Sequence, residues 1–326
     1  MTRGDDQHAA PAATAAPTSP TGPATPIGFI GLGHMGAAMA QRLLAAGLSL
    51  AVHDRHAHAT APLAAAGATV LGSAVELADR CAVVFLCLPS PAASLEVCRA
   101  LSGGSALRTV IETSTVGPQA LARLVEMLSP AGIAVLDAPV SGGPRAAAAG
   151  SLAMMVAGPA ATRERARPAL EAIAGRLFTV GDTPGLAQVC KLVNNAISAA
   201  GMIAACEATL VGVKAGLDAR TMIDAINAGS GRCAATLDKF PRSILPGTFD
   251  YGGPLGLMIK DLDLFSETAA SLGVADTITP TTRAAWQQAV LRTGPDADYS
   301  AVIRHMEADA GVVVRDPAAT RQKVAS

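Results

Sequence analysis

Aromatic residues and net charge are both scarce in this sequence. Only 3% of its 326 residues are Phe, Tyr or Trp, although half are hydrophobic, so alanine, valine and leucine must fill the core. The formal net charge at pH 7 is -1, and such a balance attracts neither nucleic acid nor an anionic membrane surface. A small molecule is therefore the expected partner, with no nucleic acid and no membrane.

Cysteine pairs and metal-binding clusters are also missing. The six cysteines include no C-x-x-C pair and no zinc-type cluster. Cys81, Cys87 and Cys190 fall in apolar stretches, as is typical of reduced, buried thiols, so we expect a cytoplasmic protein. Three histidines occur together at His53, His56 and His58. Only Asp54 joins them at a useful spacing, which indicates a polar loop and no metal.

Long hydrophobic runs are missing as well. No window approaches the roughly 18 consecutive apolar residues of a membrane span. Residues 1–25 are rich in Ala, Pro and Thr and contain no apolar run, which argues against a secretory signal. We expect a disordered tail there.

Short apolar runs alternate with helical patterns from residue 26 to residue 184. This alternation predicts an α/β fold with a doubly wound, Rossmann-type parallel sheet, whose ligands bind at the carboxyl ends of the strands. The expected strands are 27–30, 48–53, 68–70, 82–88, 109–112, 133–136, 152–157 and 177–180. The expected helices lie near 35–46, 57–66, 73–79, 91–101, 117–129 and 160–174.

The pattern changes after Gly185. One long helical stretch without proline runs from Leu186 to Lys214, and no strand of comparable quality follows. Further helices are expected near 219–228, 234–240, 257–272, 280–292 and 298–308. Residues 185–310 are therefore predicted to form an all-helical C-terminal domain, followed by a fraying tail at 311–326.

A glycine-rich turn lies between the first strand and the first helix. The segment Gly31-Leu32-Gly33-His34-Met35-Gly36 contains the pattern G-x-G-x-x-G, in which the glycines allow a tight turn, close approach of a pyrophosphate and close helix–strand packing. The free N–H groups at the helix N-terminus suit phosphates. We predict that this turn holds a nicotinamide dinucleotide.

The second strand ends at Asp54, eighteen residues after Gly36. A carboxylate at this point accepts hydrogen bonds from ribose hydroxyls and repels a 2′-phosphate, which favours NAD. The adjacent Arg55 could instead pair with that phosphate, so NADP stays open. The residue type alone is also compatible with a solvated charge at the end of a strand.

A second loop with small residues follows the sixth expected strand. In the segment 137–144, Ser141 offers a hydroxyl, and Gly142 and Gly143 expose backbone N–H groups. This combination suits a carboxylate or another small anionic group. On local evidence a tight connecting loop is an equally good interpretation.

The long helix begins with a lysine and two amides in an apolar setting. Lys191 and Asn195 are four residues apart and share one face, with Asn194 close by. A desolvated lysine can lose its proton near neutral pH and serve as a general base. The alternative is a lysine whose stem is buried and whose ammonium reaches solvent.

Together these segments resemble the β-hydroxyacid dehydrogenase family, from Pro26 to about Ala310. The 3-hydroxyisobutyrate dehydrogenase branch is the most similar. The matching pieces are 28–36, 113–116, 137–143, 185–195 and 260–262. Imine reductases share the architecture but usually replace the catalytic lysine, so Lys191 argues against that group.

The resemblance implies a role for individual residues. Lys191 matches the lysine that exchanges a proton with the substrate oxygen, Asn195 matches the amide beside it, and the Ser141–Gly143 segment matches the carboxylate-binding loop. On the cofactor side the matching residues are Leu88, Pro89, Thr115 and Lys260. The resemblance also implies a homodimer or homotetramer formed through the helical domain.

The resulting hypothesis is a reversible, NAD(P)-dependent oxidation of a short 3-hydroxy acid. Reduction of an aldehyde acid such as tartronate semialdehyde is the alternative reaction, and a non-catalytic nucleotide sensor is the alternative of another class. Specificity is expected to depend on the helical domain, with candidates Arg232, Lys239 and Phe240.

Overall fold

A computed structural model describes residues 25–316 and contains the expected sheet. Its strands are β1 (Ile27–Ile30), β2 (Leu50–His53), β3 (Thr69–Val70), β4 (Val83–Leu86), β5 (Thr109–Glu112), β6 (Ala134–Asp137), β7 (Val140–Ser141), β8 (Leu152–Ala157) and β9 (Ala174–Gly181). Six of them form a parallel sheet in the order β3-β2-β1-β4-β5-β6. The crossover point between β1 and β4 is where a doubly wound sheet binds its ligand.

The predicted doubly wound parallel sheet is confirmed, and the structure adds an antiparallel pairing at one edge that the sequence did not indicate. Strand β8 pairs antiparallel with both β6 and β7, and β9 then pairs parallel with β8. Strand β7 has two residues, and the helix after it, Gly143–Ala149, has seven. Neither is long enough to produce a hydrophobic period, which is why the sequence indicated only a loop there.

Helices cover both faces of the sheet, as the continuous apolar strands predicted. They are α1 (His34–Ala45), α2 (Ala57–Ala65), α3 (Ala74–Arg80), α4 (Pro91–Leu101), α5 (Pro118–Leu128), α6 (Gly143–Ala149) and α7 (Ala160–Ile173). One apolar cluster joins the sheet to α1, α6 and α7, and another joins it to α3, α4 and α5. The strands β1, β2, β4, β5 and β6 are thus buried on both sides, and their carboxyl ends lie at one edge of the sheet.

The second half of the described chain is helical, as expected. It contains α8 (Leu186–Lys214), α9 (Ala219–Ala228), a π-helix (Ala235–Ile244), α10 (Gly256–Ser271), α11 (Ile278–Thr293), a 3-10 helix (Tyr299–Ile303) and α12 (Arg304–Ala310). The sequence predicted a shorter helix at 234–240. Pro241 lies inside the π-helix and lacks the N–H that a regular α-helical ladder requires.

Helix α8 differs from the sequence expectation in one respect. By length and composition alone it could cross a membrane, since its most apolar 18-residue window has a mean hydropathy of 1.7. Polar residues interrupt the run, so a search for uninterrupted apolar residues missed it. A core helix of a folded domain has the same properties, and α8 packs against α10, α11 and α12.

The predicted fraying of the C-terminal tail does not hold for its first residues. Val314 is fully buried, its N–H donates to the Glu307 carboxylate, and Arg315 pairs with the same carboxylate at 2.9 Å. Asp316 pairs with Arg220 of α9 at 3.0 Å. Residues 312–316 therefore belong to the helical domain. Of the predicted tail 1–25, the structure describes only residue 25, and residues 317–326 also lie outside the described residues.

The two halves meet at a buried carboxylate. Asp137 ends β6, and its Oδ2 accepts the N–H groups of Gly185 and Gln188, each at 2.9 Å, in the first turn of α8. A negative charge is favourable at a helix N-terminus. Burial nevertheless raises the pKa of Asp137 to about 6. The start of α8 is thus fixed to the carboxyl end of a strand.

Gln188 completes this connection, and we call the Asp137–Gln188 pair the junction. Its Oε1 accepts the N–H groups of Val116 and Gly117 at 2.8 and 3.0 Å, and its Nε2 donates to Ser114 O and Asp137 Oδ1 at 3.1 and 2.8 Å. A glutamine amide offers two donors and one accepting oxygen. Every one of these groups is used, so α8 is held in a single register on β5 and β6.

Replacing Gln188 with leucine should destabilise the protein strongly. Gln188→Leu leaves four polar groups of the junction and the β5 loop without a partner, and each buried unsatisfied group costs about 1–3 kcal/mol. We expect the free energy of unfolding to fall by at least about 3 kcal/mol, measured by urea denaturation at 25 °C. The matched change at the exposed Gln288 of α11 should alter it by less than about 0.5 kcal/mol. Equal losses at the two positions would contradict this account of the junction.

Candidate active site

The glycine turn after β1 leaves no room for side chains at two positions. Gly31 has a φ of +92°, and a Cβ there would lie 2.2 Å from the carbonyl oxygen of Cys87. A Cβ on Gly36 would lie 1.8 Å from the carbonyl oxygen of Gly31. Both glycines are therefore required by the packing of β1, β4 and α1.

Gly33, the remaining glycine of the turn, is not required by packing within the protein. A Cβ on Gly33 would meet no atom of the protein within 4 Å, and its φ of -65° suits any residue. Gly33 begins α1 without a side-chain cap, and no acidic residue lies in the first turn. His34 beside it is exposed, whereas Met35 and Leu32 turn toward the core. The backbone N–H groups at this helix end thus fit the phosphates of a dinucleotide.

Asp54 is bound directly to this turn. Its Oδ2 accepts the Leu32 N–H at 2.7 Å, and its Oδ1 accepts the His56 N–H at 2.8 Å. Arg55 is next to it, and its Nε lies 3.1 Å from the His56 ring. No cation pairs with Asp54 among the described residues. Its carboxylate therefore keeps lone pairs and a full charge for a ligand at the end of β2.

The histidines near Asp54 make local contacts. His53 Nδ1 lies 3.1 Å from the carbonyl oxygen of Leu71, and the rings of His56 and His58 are 5.7 Å apart. Across residues 25–316, no group of three His, Cys, Asp or Glu side chains is arranged to hold a metal.

The loops after β4 and β5 lie at the same edge of the sheet as the glycine turn, where the parallel strands have their carboxyl ends. Leu88 N–H donates to the Ser114 hydroxyl at 2.7 Å, which ties the two loops together, and Pro89 is exposed beside it. Thr115 follows, and its carbonyl oxygen accepts Lys260 Nζ at 2.5 Å. Lys260 belongs to α10, so this bond joins the helical domain to the cofactor side of the sheet.

The Ser141–Gly143 segment forms a tight bend that depends on two glycines. Gly142 and Gly143 have φ angles of +133° and +72°, and a Cβ on Gly142 would lie 2.7 Å from that of Ala146. The bend ends β7 and begins α6. The Ser141 hydroxyl is half-buried and has no hydrogen bond to other described residues. A hydroxyl and backbone N–H groups are thus available to an anionic group.

Lys191 and Asn195 lie together on the buried face of α8, as their spacing predicted. Their exposed fractions are 9% and 8%. Asn195 Nδ2 donates to Asp261 Oδ2 at 2.6 Å. The other oxygen of Asp261 lies 2.8 Å from Lys260 Nζ. Asn194 is exposed, and within the described part of the chain its side-chain amide makes one hydrogen bond, which it donates to Asn195 Oδ1 at 3.0 Å.

The pKa of Lys191 lies well below that of a free lysine. Burial lowers the pKa, the charge of Asp261 partly opposes this effect and the charge of Lys260 adds to it, and the resulting pKa is about 8. A lysine with such a pKa changes protonation near physiological pH. It can therefore take a proton from an alcohol or return one to a carbonyl oxygen.

Three residues of this site carry functions that the sequence did not assign. Asp261 orients Asn195 and faces Lys191, and Asp137 and Gln188 hold the start of α8. Their signal in the sequence was weak. Each is a polar residue in an otherwise apolar segment, which is noticeable only once its burial is known.

Comparisons with known proteins agree with this geometry. Residues 26–181 match a family described as the NAD binding domain of 6-phosphogluconate dehydrogenase. Residues 185–306 match a family described as NAD-binding of NADP-dependent 3-hydroxyisobutyrate dehydrogenase. The chain is similar to 2-(hydroxymethyl)glutarate dehydrogenase of Eubacterium barkeri, with 33% identity over 88% of this chain and 96% of the relative. It is also similar to NAD-dependent L-serine dehydrogenase of Pseudomonas aeruginosa, with 38% identity over 74% of this chain and 84% of that relative.

A solved structure has the same architecture. The 3-hydroxyisobutyrate dehydrogenase of Mycobacterium tuberculosis, determined with L-serine, superposes with a TM-score of 0.79 at 32% identity. The superposition covers 86% of this chain and 99% of that one. The chain therefore belongs to the 3-hydroxyisobutyrate dehydrogenase family of NAD(P)-dependent hydroxyacid dehydrogenases.

Proposed function

We propose that this enzyme oxidises a short 3-hydroxy acid reversibly, with Lys191 as the general base. The observation that carries the proposal is the buried lysine on α8, next to Asn195 and Asp261 and tied by the junction to the cofactor edge of the sheet. A bound nicotinamide coenzyme supplies the hydride acceptor for oxidation and the hydride donor for reduction.

Each part of the site has a place in this reaction. The substrate carboxylate rests on the Ser141 hydroxyl and the N–H groups of Gly142 and Gly143, while Asn195 holds the hydroxyl close to Lys191. Neutral Lys191 takes the hydroxyl proton during oxidation. In the reverse direction its ammonium form returns that proton to the carbonyl oxygen. Asp261 keeps Asn195 oriented and balances the charge when Lys191 is protonated.

The favoured substrate is a 3-hydroxyisobutyrate-like acid, and tartronate semialdehyde reduction is the alternative. The named relatives act on different hydroxy acids, including L-serine and 2-(hydroxymethyl)glutarate. A panel of 3-hydroxyisobutyrate, L-serine, L-threonate, 2-(hydroxymethyl)glutarate and tartronate semialdehyde, each with both coenzymes, separates these possibilities. Tight coenzyme binding without turnover of any member would favour a nucleotide sensor instead.

We favour NAD over NADP because of the charge at the end of β2. Asp54 carries no cationic partner there among the described residues, and a 2′-phosphate would meet its full negative charge. Arg55 is exposed and contacts His56, so it would have to turn to pair with such a phosphate.

We also propose a homo-oligomer that forms through α8. Its outward face presents an apolar stripe, with Ile197 and Val211 exposed by 70% and 71%. The stripe runs Val193, Ile197, Ala204, Ala208 and Val211. Small residues at its centre let a second copy of the helix approach closely, and a two-fold axis would pair the stripe with itself.

The proposed location is the reducing cytoplasm, and the free, buried state of the cysteine thiols supports it. All six cysteines are free, and burial raises the pKa of Cys81 and Cys87 to about 11 and about 12. Such thiols stay protonated and unreactive at neutral pH.

Replacing Lys191 with alanine should remove the general base. We expect kcat to fall by about 10²–10⁴-fold, with coenzyme affinity retained in a calorimetric titration. The same change at Lys214, an exposed lysine of α8, is the control and should have little effect on kcat. Wild-type turnover by Lys191→Ala would refute the mechanism.

The pH dependence follows from the protonation state of Lys191. Because its pKa is about 8 and oxidation needs the neutral amine, kcat/KM for oxidation should rise with pH through about 8. Reduction needs the ammonium form and should fall over the same interval. Profiles with the same direction for both reactions would exclude Lys191 as the titrating group.

The coenzyme preference can be tested at Asp54 and Arg55. We expect wild type to prefer NAD and Asp54→Asn to shift the ratio of kcat/KM values toward NADP by at least about tenfold, or about 1.4 kcal/mol. The ratio is the readout, since losing the bond to Leu32 affects both coenzymes. Arg55→Ala should leave the ratio unchanged; a selective loss of NADP would assign the phosphate to Arg55.

The oligomer can be tested by light scattering after gel filtration at micromolar concentration. Wild type should elute as a dimer or tetramer, and Ile197→Asp should shift it to smaller species because a carboxylate would be buried unpaired. Leu291→Asp on α11, at a residue exposed by 68%, is the matched control. A monomeric wild type would overturn the proposal.

A further inference from the structure

Lys239 is a second buried lysine, away from the proton-transfer site. It lies in the π-helix and is only 7% exposed. Its Nζ lies 5.1 Å from the ring centroid of Tyr251 and 5.7 Å from that of Tyr299. Its one hydrogen bond is a long contact of 3.5 Å to the carbonyl oxygen of Ala234. The ammonium is thus enclosed but weakly bonded.

No carboxylate within residues 25–316 forms a salt bridge with Lys239. The adjacent Asp238 is already bound to Arg242 and to the Tyr251 hydroxyl, each at 2.7 Å. Burying an ammonium without a counter-charge is costly, and its contacts with the two rings offset only part of that cost. Burial accordingly lowers the pKa of Lys239. An anion from outside the chain would offset the remainder.

The rings around Lys239 connect it to the proposed substrate site. The Tyr299 ring lies 4.7 Å from the ring of Trp286, whose indole N–H donates to the carbonyl oxygen of Ala199 on α8 at 3.3 Å. Ala199 is one turn beyond Asn195 and eight residues beyond Lys191, and eight residues of α-helix span about 12 Å. The aromatic cluster that encloses Lys239 therefore contacts α8 about 12 Å along the helix axis from Lys191.

The second ring approaches the Ser141–Gly143 bend. Tyr251 precedes Gly252, and a Cβ on Gly252 would lie 3.2 Å from the ring of Pro144. Arg145 pairs with Asp250 across the same contact at 3.4 Å. The rings around Lys239 thus connect it to the bend through the Tyr251 segment and to α8 through Tyr299 and Trp286. Of the other specificity candidates, Phe240 is fully buried in the core and Arg232 is exposed.

We propose that Lys239 binds a second carboxylate of the substrate, so that the preferred substrates are hydroxy dicarboxylic acids. This inference rests on the proposed function, which supplies the position of the first carboxylate and of the hydroxyl. The first carboxylate lies on the bend, and the carbon chain runs along α8 past Asn195. The second carboxylate then meets the ammonium beneath Tyr251 and Tyr299.

The first test uses wild type and does not depend on turnover. Glutarate and pentanoate have the same carbon chain and differ by one carboxylate, and their binding is measured by calorimetry at saturating coenzyme. Because a hydrogen bond to a charged group strengthens binding by about tenfold or more, glutarate should bind at least tenfold more tightly than pentanoate. Equal affinities would overturn the inference.

The second test assigns the difference to Lys239. Lys239→Met should abolish the preference for glutarate, and it should raise the KM of a hydroxy dicarboxylate at least tenfold relative to that of a hydroxy monocarboxylate. Lys239→Arg keeps the charge and should retain part of the preference. Lys214→Met should change neither ratio. A purely structural role would lower the thermal midpoint of unfolding without changing the ratio, and that outcome would refute the subsite.

The failures of the two proposals are distinguishable. If monocarboxylic hydroxy acids are oxidised but dicarboxylates have no advantage, the proposed function stands and the subsite falls. If glutarate binding depends on Lys239 while no hydroxy acid is oxidised, the subsite stands and the proposed function falls.

Discussion

The arrangement of this enzyme depends on one buried hydrogen-bonded connection, the junction between Asp137 and Gln188. Through it, the carboxyl ends of β5 and β6 hold the first turn of α8, and Lys191 follows one turn later. A carboxylate and an amide in such a place are costly to bury unless every group is satisfied. Because all are satisfied here, the junction permits one orientation of the helix and so fixes where the lysine lies relative to the glycine turn.

The electrostatic balance around Lys191 follows from the same construction. Burial without a counter-charge would lower the pKa of a lysine well below 7, whereas a tight ion pair would keep the lysine protonated at neutral pH. Asp261 is near enough to raise the pKa but is occupied by Asn195 and Lys260. The residues that surround the lysine thereby keep both protonation states accessible, as the proposed reversible reaction requires.

Much of this was predictable from local patterns. The strands, the glycine turn and the shared face of Lys191 and Asn195 follow from residue spacing, which constrains neighbours in the chain. The antiparallel edge, Asp261 and Gln188 did not, because they depend on contacts between residues far apart in sequence: Gln188 meets Val116 across 72 positions. The π-helix was likewise seen as a shorter ordinary helix, since the effect of Pro241 on the ladder is not a matter of hydrophobic period.

The scarcity of aromatic residues has a consequence at the far end of the proposed substrate site. The chain has one tryptophan and two tyrosines, and all three form a single cluster: Trp286 lies 4.7 Å from Tyr299, which lies 6.1 Å from Tyr251. Two of these rings enclose Lys239. The tryptophan emission of the protein therefore originates from a ring that packs on Tyr299, one ring away from this lysine, and the natural chain carries its own optical label there, without an added dye or a substitution.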